Sequence, residues 1–306
     1  MIPVLTREAV EPLLDWMTLS DALLEGHRRP PAQVEDVLLS RADDRLLSRS
    51  AWIDGMGVGV KSVTVFPGNP AKGRPSVQGA MLVFDDATGA LRAVVDNPLV
   101  TRWKTAGDSL LGARLLARPD ALRYLIVGAG SVAESLIEAF RAWKPDLRIA
   151  LWARRPEAAE AVADRHPGVT PVTDLAEAVS GADIVSTCTM ARAPVIAGDW
   201  LRPGTHLDLI GAFTPDMREA DDRALHRGKL YVDSRATTIR HIGELMIPLA
   251  SGAITEADVL GDLGDLAAHG VPPRARDDIT IYKNGGGAHL DLMTARVMLD
   301  AWEARQ

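Results

Sequence analysis

Between residues 120 and 235, apolar runs of four or five residues alternate with longer stretches of helical period. Tyr124–Val127, Arg148–Trp152, Asp183–Thr187, His206–Ile210 and Leu230–Asp233 read as short buried strands; Ser131–Trp143, Pro156–Arg165 and Asp174–Ser180 read as the helices between them. Near-continuous apolar strands separated by helices predict a parallel sheet covered on both faces. The first 110 residues have a different rhythm. Thr6-Arg-Glu-Ala-Val and Leu13-Leu-Asp-Trp look helical, with Thr6 as a cap. Val58–Val65, Val77–Phe84 and Leu91–Val95 read as strands, and Asp86-Ala-Thr-Gly89 as a hairpin-like turn. Thr101–Ala117 is helical and leads across Arg118-Pro119-Asp120 into the alternating region. A last helix, about Ala288–Ala304, carries Leu292, Ala295, Val297, Met298 and Trp302 as a packing face, expected to return to the N-terminal module. The expected fold class is therefore α/β: a Rossmann-type doubly wound parallel sheet over 118–287, and a discontinuous mixed α/β domain from 1–117 and 288–306. Glu244–Ile254 and the Gly261/Gly264 stretch read as a less regular connection.

The sharpest chemical signal is Tyr124-Leu-Ile-Val-Gly128-Ala129-Gly130-Ser131-Val132-Ala133. Gly128 permits a tight turn, Gly130 lets the backbone approach a pyrophosphate, and the helix amides from Ser131 onward point at the anion. Ala133 suffices at the third small position, which serves only helix–strand packing. The plain alternative is an ordinary strand-to-helix turn. A strand before the glycines and a helix after them favour the dinucleotide site. The next strand ends at Ala153-Arg154-Arg155-Pro156, with no carboxylate where an NAD-type site places an Asp or Glu on the ribose. Two guanidinium groups there suit a 2′-phosphate, so NADP(H) is the expected cofactor, with NAD(H) also open. The competing reading makes Arg154 and Arg155 a solvated start to the next helix.

Composition narrows the class. The 306-residue chain is 47% hydrophobic and 25% charged, as ordinary globular domains are. A net charge of −7 argues against a nucleic-acid partner, and no apolar run approaches the roughly 20 residues that span a bilayer. Met1-Ile-Pro-Val-Leu-Thr-Arg-Glu lacks the order of a signal peptide. The single cysteine, Cys188, fits a reducing, cytoplasmic setting and reads as a small core residue at a strand end rather than a nucleophile. His206, His241 and His289 lack metal-ligand spacing, so no metal is expected. Asp208 and His206 are placed near the carboxyl end of a strand, where open α/β sheets bind ligands.

Five segments occur in order: Val60-Lys61-Ser-Val-Thr-Val-Phe66-Pro67-Gly-Asn69, Phe84-Asp85-Asp-Ala-Thr-Gly89, Val100-Thr101-Arg-Trp-Lys104-Thr105-Ala106, Val127-Gly-Ala-Gly130 and Ile279-Thr-Ile-Tyr282-Lys283. As an ordered set they resemble the ornithine cyclodeaminase/mu-crystallin superfamily over essentially the whole chain. The resemblance implies a nucleotide domain joined to a substrate domain that dimerises through its sheet, and hydride chemistry at the α-carbon of amino or imino acids. Within the family the pattern is nearest to the ketimine reductases that act on Δ1-pyrroline-2-carboxylate.

The resemblance also carries over residues. Arg45, in Asp43-Asp-Arg-Leu-Leu, matches the arginine that clamps the substrate carboxylate; without it, a surface arginine paired with Asp43 or Asp44 would be favoured. Lys61 matches a lysine facing substrate, able to move a proton if burial lowers its pKa; the alternative is an edge-strand lysine that discourages aggregation. Ser76 and Gln78 align with a stretch that contacts substrate. Lys104 stands where cyclodeaminases carry an arginine, which keeps the charge but loses the bidentate fork. Thr105 is expected to contact cofactor or cap its helix. Lys283, in Lys283-Asn284-Gly-Gly-Gly287, is expected near the nicotinamide, with a flexible helix entry as the alternative. The most telling departure follows Asp208-Leu-Ile-Gly211: Phe213 replaces the aspartate that handles the distal amine of ornithine, and Asp216 lies three residues on. A phenyl ring suits methylenes, not an ammonium.

These expectations converge on NADPH-dependent reduction of a cyclic ketimine carboxylate, Δ1-pyrroline-2-carboxylate or its six-membered homologue, by a homodimer. Ornithine cyclodeaminase with catalytic NAD, an alanine-type dehydrogenase, and a non-enzymatic crystallin-like binding protein are the alternatives.

Overall fold

The computed structural model describes residues 2–305. In chain order, β1 (Val4–Leu5), α1 (Arg7–Val10) and α2 (Trp16–His27) precede β2 (Gln33–Arg41), β3 (Asp44–Ile53), β4 (Gly57–Val65), β5 (Val77–Phe84), β6 (Leu91–Asp96) and the long helix α3 (Asn97–Leu116). There follow β7 (Arg123–Val127), α4 (Ser131–Trp143), β8 (Arg148–Trp152), α5 (Pro156–Arg165), β9 (Val169–Val172), α6 (Leu175–Gly181), β10 (Ile184–Thr187) and β11 (His206–Leu209). The remainder is α7 (Asp222–Arg227), β12 (Gly228–Val232), α8 (Arg235–Thr238), α9 (Gly243–Ser251), β13 (Val259–Asp262), α10 (Leu263–His269), β14 (Ile279–Lys283) and α11 (Ala288–Glu303). Two compact units result, Met1–Lys104 with Gly287–Gln306, and Thr105–Gly286. The first break falls inside α3, upstream of residue 117, because the single helix contributes residues to both units.

Unit 1 is built on a six-stranded sheet of order β1-β6-β5-β4-β3-β2, antiparallel except that β1 runs parallel to β6. The hairpin β2–β3 was not expected from sequence. β2 is an edge strand exposed along nearly its whole length, so burial imposes no alternation on it. α11 packs on β3, β4 and β5 and against α2. Gly59 sets that approach: a Cβ there would lie 2.4 Å from Met81 Cε and 3.1 Å from Leu292 Cδ1. Its missing side chain brings α11 close to the centre of β4.

Unit 2 is an eight-stranded, all-parallel sheet of order β13-β12-β14-β11-β10-β7-β8-β9. Successive strands run from β7 out to β9, then return to β10 on the other side of β7, which makes the carboxyl ends of β7 and β10 a topological switch point. α4 buries Ala133, Leu136, Ile137 and Phe140, a helical stripe; its three large members each contribute about 1.5–3 kcal/mol on leaving water. Phe140 stacks on Tyr124 of β7, centroids 4.2 Å apart. The 244–264 stretch proves regular, supplying α9, the edge strand β13 and α10. Its overlooked signal is Asp262-Leu-Gly-Asp265, a capping box in which each aspartate accepts from the other's main-chain N–H (3.0 and 3.1 Å).

Candidate active site

In unit 2 the turn from β7 to α4 is shaped for a phosphate. Gly128 has φ 128°, and a Cβ there would lie 2.8 Å from the carbonyl oxygen and Sγ of Cys188. Both backbone and space therefore exclude a side chain. Gly130 is exposed, and a Cβ built on it would meet nothing within 4 Å. It is the N-cap of α4 with no side-chain cap bond, so the first amides of that helix, from Ser131 and Val132, remain open to an anion. Ala129 is half-buried between the two glycines. Val127 pairs with Trp152, which puts the end of β8 one strand spacing, about 4.8 Å, from the turn. Arg154 and Arg155 follow that end, exposed, their guanidinium groups without hydrogen bond or ion pair among the described residues. A dinucleotide's pyrophosphate and ribose fit this arrangement. Burial pushes the Cys188 thiol well up, consistent with packing rather than reactivity.

Beneath the carboxyl ends of β10, β11 and β14 lies a buried polar network that the sequence did not reveal. Asp208 accepts from Ser186 (2.7 Å) and Ser109 (3.1 Å), and burial lifts its pKa to about 7. Glu219 accepts from Thr189 N and Oγ1 through one oxygen (both 2.7 Å) and from Gly211 N through the other (2.6 Å). Glu244, also raised to about 7 by burial, accepts from Glu219 N and Ala220 N. Asp233 receives the amides of Gly285 (2.9 Å) and Gly286 (2.5 Å), which orders the glycine run before α11. Lys283 is 0% exposed and donates to the carbonyl oxygens of Leu209 (3.0 Å) and Ala212 (2.8 Å). It is thus not placed to meet a cofactor: it ties two strand ends together, with Glu244, Glu219, Asp233 and Asp208 opposing the burial that lowers its pKa. Thr105 presents its carbonyl to Asn284 Nδ2 (3.0 Å). His206 opens β11 rather than ending it, and burial lowers its pKa to about 3. Phe213 is 58% exposed on the loop after β11.

In unit 1 the register across the sheet gathers a second set. Arg49 pairs with Lys61, Lys61 with Met81, and Asp36 with Arg49, so these side chains share one face. Lys61 is buried, and its ammonium lies 2.7 Å from the carboxylate of Asp291 on α11. Burial pulls the Lys61 pKa down, Asp291 opposes it, and the Lys104 and Arg49 charges push it further down. Lys104 is 9% exposed and has no hydrogen bond or ion pair among the described residues. Arg49 is held by Asp36 (2.9 Å). Among the groups named here three cations, Lys61, Lys104 and Arg49, face two carboxylates, Asp291 and Asp36, an excess that suits a carboxylate ligand.

Three expected substrate residues stand apart from this cluster. Arg45 is four positions from Arg49, about 13 Å along the strand, and donates to the carbonyls of Ala42 (2.5 Å) and Asp44 (2.9 Å) in its own hairpin. The forked cation beside Lys61 is Arg49. Gln78 pairs with Thr64, an odd step from Lys61, so it points to the opposite face and is exposed. Ser76 precedes β5, its carbonyl accepting from Phe66 N (2.8 Å). Asp291 and Arg49 were missed: Asp291 sits on an otherwise apolar helix face, and Arg49 on a strand whose polar residues hid its alternation.

Comparison with known proteins gives this geometry a context. The chain is 57% identical to a Δ1-pyrroline-2-carboxylate reductase of Paracoccus denitrificans over 288 residues, 92% of this chain and 91% of the relative. The solved Thermococcus litoralis Δ1-pyrroline-2-carboxylate reductase, in complex with NADH and L-proline, superposes with a TM-score of 0.90 at 25% identity, covering 99% of this chain and 98% of that one. An archaeal alanine dehydrogenase dimer with bound NAD gives a TM-score of 0.90 at 28% identity, covering 99% and 97%. The profile of the ornithine cyclodeaminase/mu-crystallin family matches residues 24–306, and the chain belongs to that family.

Proposed function

We propose that this protein reduces a cyclic ketimine carboxylate, Δ1-pyrroline-2-carboxylate to L-proline and its six-membered homologue to L-pipecolate, with NADPH as reductant. The 57% identity to a reductase of that substrate, extending over nine-tenths of both chains, carries the reading. The unit 1 cluster supports it, since its surplus positive charge suits one carboxylate. The nicotinamide, when bound, supplies a hydride. The turn 128–132 would hold its pyrophosphate, and the unpaired Arg154 and Arg155 favour a 2′-phosphate over a bare ribose.

Lys104 and Lys61 hold the carboxylate, Arg49 standing beside them in place of Arg45. On hydride delivery to the imine carbon the C=N π electrons would pass to the ring nitrogen, which Lys61 would protonate, regaining its proton later from water. Phe213 stands where an aspartate would be needed for the distal ammonium of ornithine, and a phenyl ring cannot bind an ammonium as a carboxylate does. The protein acts as a homodimer through the outer face of the unit 1 sheet, where Val37 and Leu39 are 55% and 58% exposed. The test supplies purified protein with NADPH or NADH and either cyclic imine, with ornithine and alanine as controls. Consumption of NADPH with either imine is expected. Proline and ammonia from ornithine with no net nucleotide turnover would make it a cyclodeaminase instead.

A further inference from the structure

We infer that Asp291 is a positioning residue that keeps Lys61 charged as the proton donor and fixes its ammonium against the substrate. The inference rests on the ketimine-reductase reading for its substrate, and on the geometry of unit 1 for everything else. Lys61 lies mid-strand on β4 among Val63, Met81, Val83 and Val95 of the buried face. An ammonium there cannot stay charged without a partner. The charged groups facing it are Asp291 from α11, Lys104 from α3 and Arg49 from β3. The last two oppose its charge, and Arg49 is already engaged with Asp36. His289, on the same helix as Asp291, turns instead to His27 of α2, ring centroids 5.6 Å apart. Asp291 is therefore the one anion acting on Lys61 among these groups.

The arrangement makes chemical sense for this reaction. A lysine with an ordinary pKa holds its proton too tightly to be an efficient donor near neutrality. A buried lysine with no anion would lose the proton before substrate arrived. Burial lowers the Lys61 pKa and Asp291 opposes the fall, so the pair holds the proton more loosely than a free lysine and more tightly than a buried lysine without an anion. The 2.7 Å contact also fixes where that ammonium points. Gly59 lets α11 lie this close, since a Cβ there would displace the Met81 terminus (2.4 Å) and press on Leu292 (3.1 Å).

The sign of the effect follows. Reduction needs protonated Lys61, so kcat falls as pH rises through its pKa. Removing the Asp291 charge lowers that pKa and moves the falling limb to lower pH. Asp291→Asn, assayed with NADPH and Δ1-pyrroline-2-carboxylate from pH 5 to 10, is expected to move the limb down by about one unit or more, a tenfold change in protonation constant per unit. Asp291→Glu should restore it toward wild type. A second readout needs no turnover: the 13Cε resonance of Lys61 in lysine-labelled protein, identified by its loss in Lys61→Arg, should titrate lower in Asp291→Asn by the same amount. Should Asp291→Asn not fold, the wild-type resonance decides, and a Lys61 that does not titrate with the falling limb overturns the inference. An unmoved limb and resonance in folded Asp291→Asn overturn it too. If wild type reduces neither imine, the functional reading fails while the resonance still tests whether Asp291 holds the Lys61 proton.

Discussion

Ser186 on β10 donates a 2.7 Å hydrogen bond to Asp208 on the neighbouring β11, at a point where both are fully buried. Tyr124 donates to the same Ser186 hydroxyl (3.0 Å), so the serine relays a tyrosine–serine–aspartate chain across three strands. Burial is the largest influence on Asp208 and lifts its pKa from 3.8 to about 7; the two serines pull it back. A folded-state pKa above the unfolded value gives a contribution to stability that is full below about pH 4 and lost as pH rises through 7. Ser186→Ala removes a donor that favours the charged form. It is expected to cost about 1–3 kcal/mol, more at pH 8 than at pH 5. Urea unfolding at the two pH values checks this; an equal loss at both would show that Asp208 does not titrate in this range.

Glu219 links the loops after β10 and β11 through Thr189 and Gly211. Those loops border the carboxyl ends of strands beside the switch point, where ligand position is set by main-chain placement. Glu219→Ala orphans three donors and should destabilise by about 3 kcal/mol, at about 1–3 kcal/mol per buried group with partial rescue by water. Glu219→Gln keeps one acceptor and should cost less. In both, KM for the nucleotide is expected to rise several-fold, measured by steady-state kinetics with the imine saturating.

Much of unit 2 was legible because its strands are buried on both faces and its helices begin at proline or aspartate, as α5 does at Pro156 and α6 at Asp174. The glycine turn could be read because Gly128 and Gly130 answer to different constraints, one to φ and Cys188, the other to open space. The unit 1 cluster was half legible. Lys61 stood out as a cation in an apolar strand, but Asp291 lies 230 residues away, and no local pattern encodes that pairing. Arg45 and Gln78 stand apart from the Lys61 cluster for different reasons, Gln78 because its register with β4 turns it to the other face and Arg45 because it lies four residues further along β3. Lys283 resembled a ligand contact, while its surroundings of four carboxylates and two carbonyls come from strands, loops and a helix separated in sequence.

Arg154 and Arg155 make a clean test of nucleotide preference, since neither guanidinium has a partner among the described residues. A guanidinium on a phosphate forms charge-assisted hydrogen bonds of about 1.5–3 kcal/mol. Arg154→Ala should weaken NADPH by roughly tenfold to a hundredfold while leaving NADH within about twofold, read by fluorescence titration of each nucleotide. The arginine nearer the phosphate should show the larger effect when Arg155→Ala is compared. NADPH affinity unchanged in both variants would assign the two arginines to solvent.

The outer face of the unit 1 sheet carries Val37, Leu39 and Leu46, with Leu39 paired to Leu46 across β2 and β3. Apolar side chains clustered on an exposed sheet face are unusual in a monomer. β2 is also an edge strand, whose unpaired main-chain groups invite association unless covered. Leu39→Glu puts a carboxylate into this patch, and burying one without a partner in a dimer costs several kcal/mol. The variant is expected to run as a monomer of about half the wild-type mass by light scattering after size-exclusion chromatography, and to keep its thermal transition if unit 1 folds without its partner. Leu39→Ala should remain dimeric with weaker association, because it removes buried area but introduces no charge. A wild-type protein that is monomeric at micromolar concentration would remove this face from consideration as the dimer contact.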